Sequence, residues 1–146
     1  MEEVAKSITV ETKVDVPVKW VWKIWTTPSD IMQWNIPFDN WHCPKVENEV
    51  IPGGKFLFRM ETSDGSDGFD HAGTYDRVIP NELIEYTVAD GRKSRIVFSS
   101  NGDATTVSET FEPEKGTPSA LQREFCQAVL DKFKKYAEAR FEVTSH

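Results

Sequence analysis

Cysteines, long apolar runs and an excess of positive charge are what this sequence lacks. It contains only two cysteines, Cys43 and Cys126, which fall in very different segments. We therefore expect free thiols in a reducing compartment rather than a disulfide. No run approaches the roughly 18 apolar residues of a membrane-spanning helix, and the first residues, MEEVAKS, lack the apolar core of a signal sequence. By elimination, these absences predict a cytoplasmic protein.

The charge balance excludes two further classes of partner. The formal net charge is −7, and the basic residues are scattered among acidic ones. Nucleic acids and anionic membranes both attract clustered Lys and Arg, so we expect neither as a partner. The length of 146 residues fits one domain over residues 1–146, with a core large enough to fold without a metal or a disulfide.

The last segment, residues 119–143, has the strongest helical pattern in the chain. Its apolar residues recur at three- and four-residue spacing, which places them on one face of an α-helix. That face holds Leu121, Phe125, Val129, Phe133, Tyr136 or Ala137, and Arg140 or Phe141, and the opposite face holds Arg123, Gln127, Asp131, Lys134, Lys135 and Glu138. An apolar stripe of this length must lie across a large surface, which the preceding chain has to supply.

Most of that preceding chain alternates between apolar and polar residues, a pattern typical of half-buried strands. Strands are predicted at residues 7–16, 45–51, 55–62, 69–79, 82–88, 93–99 and 104–111, with residues 35–44 irregular. The turns between consecutive strands are short, as at Asp90–Gly91, so neighbours should pair antiparallel. Two short apolar helices follow the first strand, and Thr27 and Asp30 occupy capping-box positions at the second. This order predicts an α+β fold.

Several short motifs, in order, resemble one known family over roughly residues 7–140. They are the run VWKIWTTPSDIMQW, Pro52-Gly53-Gly54-Lys55-Phe56, Arg59-Met60, Gly73-Thr74-Tyr75, Ile84-Glu85-Tyr86, the segment from Thr105-Thr106-Val107 to Thr110-Phe111-Glu112-Pro113, and Gln122-Arg123. The chain resembles the Aha-type family, whose fold is related to the C-terminal domain of the activator of the heat-shock chaperone ATPase. That family belongs to the START-like superfamily, with the birch-pollen allergen and the polyketide cyclases.

The resemblance implies a helix-grip fold, in which a seven-stranded curved antiparallel sheet wraps around the C-terminal helix and leaves an internal cavity. Two positions depart from the family pattern. Phe125-Cys126 stands where many relatives have Gly-Trp, so Phe125 is expected to reshape or plug the cavity. The turn at Pro52-Gly53-Gly54 lacks the arginine that many relatives place before it.

Aromatic residues are abundant enough to line such a cavity as well as fill a core. The chain has nine Phe, five Trp and three Tyr, and rigid aromatic rings suit both roles. The predicted ligand-binding residues are Trp25, Trp34, Phe38, Trp41, Phe58, Met60, His71, Gly73, Tyr75, Tyr86, Phe125 and Val129. For the four residues from Trp25 to Trp41, simple core packing is an equal alternative. Gly73 leaves room for a ligand or relieves packing.

Four polar residues are the candidates for acid–base chemistry: His71, Tyr75, Tyr86 and Glu109. His71 is also compatible with a surface or hydrogen-bonded core histidine. Glu109 shares a strand face with apolar residues, so burial would raise its pKa. The alternative for Glu109 is an ion pair with Arg95 on the neighbouring strand. The alternation of β-strand residues points a further charged side chain, Arg59, towards solvent.

Metal and cofactor sites are not predicted. His42 and Cys43 are adjacent but lack a second pair of ligands at metal spacing. The segment 64–70 begins like a calcium loop, but Ser66 and Tyr75 stand where its third and twelfth ligands belong. Cys126 lies in the middle of a helix, where a small apolar filler is the simplest interpretation.

Three functions remain open. The first is a non-enzymatic binding protein that holds a small, mostly apolar molecule between the sheet and the long helix. The second is an enzyme similar to the polyketide cyclases and aromatases, using the four polar candidates. The third, implied by the resemblance, is contact with a chaperone whose ATPase it stimulates, although the co-chaperone relatives carry a further N-terminal domain. The sequence predicts no oligomeric state.

Overall fold

A computed structural model describes residues 7–144 of the chain, and the side chains up to residue 142. The first residues, whose composition argues against a signal sequence, lie outside this range. The elements are β1 (Ile8–Val14), α1 (Val18–Thr26), α2 (Pro28–Trp34), β2 (Trp41–Asn48), β3 (Lys55–Thr62), β4 (Gly68–Ile79), β5 (Leu83–Val88), β6 (Lys93–Asn101), β7 (Ala104–Phe111) and α3 (Ser119–Thr144). None of the helices in the described range is long and apolar enough to cross a bilayer.

The seven strands form one antiparallel sheet in the order β1-β7-β6-β5-β4-β3-β2. Sequential hairpins build the sheet from β2 to β7, and β1 joins β7 with Ile8 opposite Phe111. The helices α1 and α2 carry the chain from β1 at one edge to β2 at the other. The predicted α+β fold, with its seven-stranded sheet, two short helices and long C-terminal helix, is confirmed.

The boundaries of β2 differ from the prediction. The strand starts at Trp41 and ends at Asn48, whereas the sequence pattern predicted irregular chain to residue 44 and a strand from 45 to 51. Pro44 has no N–H to donate to a ladder, which hid the strand from the pattern. The sheet accommodates it with an irregularity between His42 and Lys45, where the register with β3 shifts.

The long helix α3 buries the apolar face that its spacing predicts. Leu130, Phe133 and Ala137 are completely or almost completely buried. Phe133 packs between Trp25 of α1 and Trp34 of α2, with ring centroids 4.9 Å from each. Leu121, at the start of the predicted stripe, is instead 55% exposed, because the helix extends past the core there.

The polar side of α3 lies against the edge of β1. Arg123, Gln127 and Lys134 donate hydrogen bonds of 2.7–3.0 Å to the backbone carbonyls of residues 9, 11 and 13. These carbonyls alternate along the unpaired side of β1, where an exposed edge would otherwise offer a template for another strand. The helix therefore covers this edge of the sheet with its own side chains.

An ion pair joins α2 to the end of α3. The Asp30 carboxylate is 4% exposed, accepts a hydrogen bond from the Tyr136 hydroxyl and forms an ion pair with Nε of Arg140. The predicted capping box is wrong, because the Thr27 hydroxyl donates to the Lys23 carbonyl and caps nothing in α2. Asp30 therefore holds two helices together instead of terminating one.

Candidate functional site

A cavity of about 920 Å³ lies between the concave face of the sheet and the first half of α3. Strands β3 to β7 supply its floor, because alternation along each strand sends every second side chain to that face. Its apolar wall includes Trp25, Phe56, Phe58, Met60, Ile84, Ile96, Phe111 and Val129. The cavity opens at a mouth beside the N-terminal end of α3, where its lining includes Asp67, Asp70, Asp90, Arg92, Glu112, Glu114, Thr117, Leu121 and Gln122.

Three aromatic rings stand together on the wall at the β2 side. The centroids of Trp41, Phe69 and Phe125 are 6.0 Å apart in each pair. This spacing is typical of edge-to-face and tilted aromatic contacts. Phe125 therefore reshapes the wall, where its ring packs between the rings from β2 and β4, and a large cavity remains beside it.

The inner polar groups come from four different elements. His71 on β4, Tyr86 on β5, Glu109 on β7 and Cys126 on α3 all line the cavity. The Tyr86 hydroxyl lies 3.4 Å from Nε2 of His71, within hydrogen-bonding distance. Tyr75, the second predicted acid–base candidate on β4, also lines the cavity, but its hydroxyl donates to Oδ1 of Asn48.

Burial moves the pKa values of these groups away from their ordinary values. Desolvation lowers the pKa of His71 from 6.5 to about 4, so the imidazole is neutral at pH 7. Desolvation also raises the pKa of Tyr86 well above 10, and the nearby Glu109 adds to the rise. Both side chains are therefore neutral hydrogen-bonding groups at neutral pH.

Glu109 is the exception, because it titrates near neutral pH. Burial among apolar groups raises its pKa from 4.5 to about 7. Its carboxylate borders the open cavity, and it makes no hydrogen bond or ion pair with any residue in the described range. Of the two alternatives for Glu109, the ion pair with Arg95 is wrong, since Arg95 is opposite Thr110 and its Nε lies 3.7 Å from Glu85.

Three of the predicted ligand-binding residues lie outside the cavity wall. Trp34 is 3% exposed and packs in the core, where its indole N–H donates to the Ile24 carbonyl. Phe38 lies in the loop after α2 and is 44% exposed. A Cβ on Gly73 would come within 2.9 Å of the Phe56 ring, so this glycine relieves packing and leaves no room for a ligand.

The remaining nine predicted residues do line the cavity. They are Trp25, Trp41, Phe58, Met60, His71, Tyr75, Tyr86, Phe125 and Val129. Sequence reasoning missed Ser94, although its alternation with Ile96 and Phe98 on β6 was a usable signal. It also missed Arg92, which lies in a turn where no periodicity indicates direction.

Gln122 fixes one side of the mouth. Its side-chain amide accepts a hydrogen bond from the Glu114 N–H and donates to the carbonyls of Glu114 and Thr117. This small network pins the segment between β7 and α3 against the first turn of the helix. No group of three or more His, Cys, Asp or Glu side chains in residues 7–144 is arranged to hold a metal ion.

The sheet wrapped around α3, with a cavity between them, defines a helix-grip fold. The sequence model of the Activator of Hsp90 ATPase homolog 1-like family matches residues 15–138, and the chain belongs to this family. A search of proteins with curated descriptions finds no significant match.

Solved structures agree with this assignment. An AHSA1-like protein from Aeromonas hydrophila is 34% identical, with a TM-score of 0.86 over 92% of this chain and 94% of that one. A protein from Cytophaga hutchinsonii is 46% identical, with a TM-score of 0.79 over 93% and 94% of the two chains. A protein from Nitrosomonas europaea shares the fold at 15% identity, with a TM-score of 0.80 over 97% and 99%.

Proposed function

We propose that this protein binds a small, mostly apolar ligand in the cavity between the sheet and α3. The observation that carries the proposal is the cavity of about 920 Å³ itself. Protein interiors are packed like organic crystals, and voids larger than a water molecule are few. A space of this size, lined by aromatic and aliphatic side chains, falls within the roughly 300–1,000 Å³ of small-molecule sites.

The distribution of polar groups supports a ligand with a polar end. Among the polar groups that line the cavity, Tyr86 lies close to both His71 and Glu109. A few polar groups in an otherwise apolar pocket orient a ligand and select it. We therefore expect one polar group on the ligand, with the rest of its surface apolar.

Titration with the neutral fluorescent probe N-phenyl-1-naphthylamine tests this function. The wild-type protein should give a saturable increase in fluorescence with one site per chain. Val129→Trp and Cys126→Phe, which fill the cavity from α3, should lose most of that signal while circular dichroism shows that they are folded. Phe38→Ala is the matched control, because this ring is exposed and outside the cavity wall.

Native mass spectrometry of protein purified from its own cells is the second arm of this test. A defined extra mass, and a higher melting temperature when the released compound is added back, would identify the ligand. A compound present at a hundredfold its dissociation constant stabilises the folded state by about 2.7 kcal/mol. Absence of saturable probe binding, or equal binding by the filled variants, would overturn the proposal and favour the chaperone contact.

An enzymatic role is the second candidate, and the titration of Glu109 favours it. A carboxyl group with a pKa of about 7 can give or take a proton at neutral pH. Neutral His71 and Tyr86 stand beside it as hydrogen-bonding groups. If the identified ligand is converted to a product, Glu109→Gln should abolish turnover even when the ligand is present at a saturating concentration.

A further inference from the structure

We propose that the ligand of this cavity is an apolar amine, whose ammonium group is held by Glu109. This inference rests on the proposed binding function and names the chemical class of the ligand. Its basis is a cavity carboxylate that has no hydrogen bond or ion pair within the described residues, an acidic mouth outside the cavity, and the pairing of the cavity-wall cation Arg92 with Asp90.

Glu109 is the inner anchor. Its carboxylate borders the cavity and has no hydrogen bond or ion pair with any residue that the structure describes. A neutral ligand leaves this group without a counter-charge, whereas an ammonium group supplies one together with N–H donors. Such charge-assisted hydrogen bonds are about twice as strong as neutral ones.

The groups that face Glu109 from other elements do not supply a counter-charge. They are His71 from β4, Tyr86 from β5, Arg92 from the turn before β6 and Cys126 from α3. His71 is neutral at pH 7 because burial lowers its pKa to about 4. Tyr86 is a neutral hydroxyl, and burial keeps Cys126 a thiol by raising its pKa.

Arg92 is the only cation on the cavity wall within the described residues, and it already has a partner. Its Nε donates to both carboxylate oxygens of Asp90, at 3.0 and 2.7 Å. Asp90 therefore offsets part of the Arg92 charge, and the remainder still acts on His71 and Cys126.

The mouth has an excess of negative charge. Five exposed carboxylates border it: Asp67, Asp70, Asp90, Glu112 and Glu114. Asp70 and Asp90 pair with Arg59 and Arg92, but the other three have no ion pair with any residue in the range 7–142. A cleft bordered by one sign of charge attracts ligands of the opposite sign and repels its own. The aromatic rings of Trp41, Phe69 and Phe125 can also hold a cation as it enters.

The test compares three probes that differ only in their polar group: 4-phenylbutylamine, 4-phenylbutan-1-ol and 4-phenylbutyrate. Each is used at pH 8 to displace N-phenyl-1-naphthylamine, so that Glu109 is mostly ionised. We expect the amine to bind at least tenfold more tightly than the alcohol, and the carboxylate to bind most weakly. Glu109→Gln should remove the preference for the amine and change the affinity for the alcohol less than threefold.

The matched control is Glu112→Gln, which removes a carboxylate from the mouth but leaves the inner anchor. It should reduce amine affinity less than threefold, since exposed charges are screened by salt. A trimethylammonium form of the amine keeps its positive charge at every pH, so a pH dependence of its binding reports the titration of the protein and not of the ligand. Its affinity should rise about tenfold between pH 6 and pH 8 as Glu109 ionises, and Glu109→Gln should show no such rise.

The outcomes separate the two proposals. If the alcohol or the carboxylate binds as tightly as the amine while the neutral probe still saturates, the amine inference fails and the binding function stands. An amine preference that survives Glu109→Gln also overturns the inference, because the mouth alone would then select the cation. If neither the neutral probe nor any of the three compounds binds, both proposals fail.

Discussion

The Tyr136 hydroxyl donates a 2.5 Å hydrogen bond to the carboxylate of Asp30, 106 residues earlier in the chain. The same carboxylate forms an ion pair with Nε of Arg140, at 2.8 Å. Because Asp30 is almost fully buried and its partners are half-buried or exposed, these bonds fix the end of α3 against α2. Together with the packing of Phe133 against Trp34, this group sets the relative position of the two helices.

Replacing Asp30 should destabilise the protein without creating a buried charge. Asp30→Ala removes one hydrogen bond and one ion pair of a buried carboxylate, and we expect the free energy of unfolding to fall by about 2–3 kcal/mol. Asp30→Asn keeps an acceptor for Tyr136 and should lose about half as much. Urea denaturation at pH 7 measures both values, and a loss below about 0.5 kcal/mol for Asp30→Ala would contradict this role.

Gly73→Ala should be costly because two neighbours are too close to a Cβ at this position. The added carbon would come 2.5 Å from the Thr87 carbonyl oxygen and 2.9 Å from the Phe56 ring. Forcing these groups apart in a packed sheet should cost about 1–3 kcal/mol. Gly102→Ala is the control: its φ of +71° makes alanine strained, but nothing lies within 4 Å. It should cost about 1 kcal/mol, and equal losses for the two variants would refute the packing argument.

The cover of β1 by α3 predicts a change in both stability and association. The triple variant Arg123→Ala, Gln127→Ala, Lys134→Ala removes the donors to alternate carbonyls of β1. We expect a loss of about 2–3 kcal/mol in urea unfolding, at roughly 1 kcal/mol per hydrogen bond. Because the exposed edge can pair with another chain, sedimentation should also show concentration-dependent association.

Lys135→Ala is the control for that variant. Lys135 lies on the same side of the helix, is exposed, and makes no hydrogen bond or ion pair with the residues described. Its replacement should change stability by less than about 0.5 kcal/mol. A triple variant that remains monomeric and as stable as Lys135→Ala would show that the edge needs no cover.

The pH dependence of stability should reveal Glu109. Its pKa is raised from 4.5 to about 7 on folding, so the folded state favours the protonated form. The stabilisation is complete below pH 4.5 and is lost as the pH rises through 7. Glu109→Gln lacks this loss, so its stability relative to wild type should increase between pH 4.5 and pH 8, by roughly 3 kcal/mol. A difference that does not vary with pH would show that burial does not perturb this carboxyl.

His71→Gln should change the profile in the opposite direction. Its pKa falls from 6.5 to about 4 on folding, so the wild type is stabilised above pH 6.5 and loses stability as the pH falls through 4. The stability of the variant relative to wild type should therefore increase as the pH falls towards 4. Because the two groups oppose each other, the wild-type profile should be flatter than either single variant between pH 4.5 and pH 6.5. Urea midpoints across this range provide the measurement.

The sequence predicted the fold well because each of its strong patterns depends on local spacing. The helical period of α3 identified Phe133 as core, and the alternation of β7 put Glu109 on the same face as Val107. The errors concern relations between elements. Alternation alone does not give the register of β6 against β7, so it could not show that Arg95 and Glu109 lie on opposite faces.

The position of the cavity was harder to predict for the same reason. Trp25 borders the cavity, whereas Trp34 is enclosed in the core. Both belong to short apolar helices, so the sequence pattern could not distinguish them. The sequence pattern does not show whether Gly73 relieves packing or leaves space for a ligand. Only the Phe56 ring opposite it on β3 decides that question.

The pairing of β1 with β7 has a consequence for synthesis of the chain. Thr9 and Thr110, whose hydroxyls bond across these strands, are 101 residues apart in sequence. The ribosome therefore synthesises β1 first, whereas its strand partner β7 and the helix α3 that covers its edge are synthesised last. Contacts of such long range slow folding, and strands that lack their partners are prone to aggregate. Chains that stop before β7 should keep β1 unpaired, which makes incomplete products of this gene targets for chaperones and proteases.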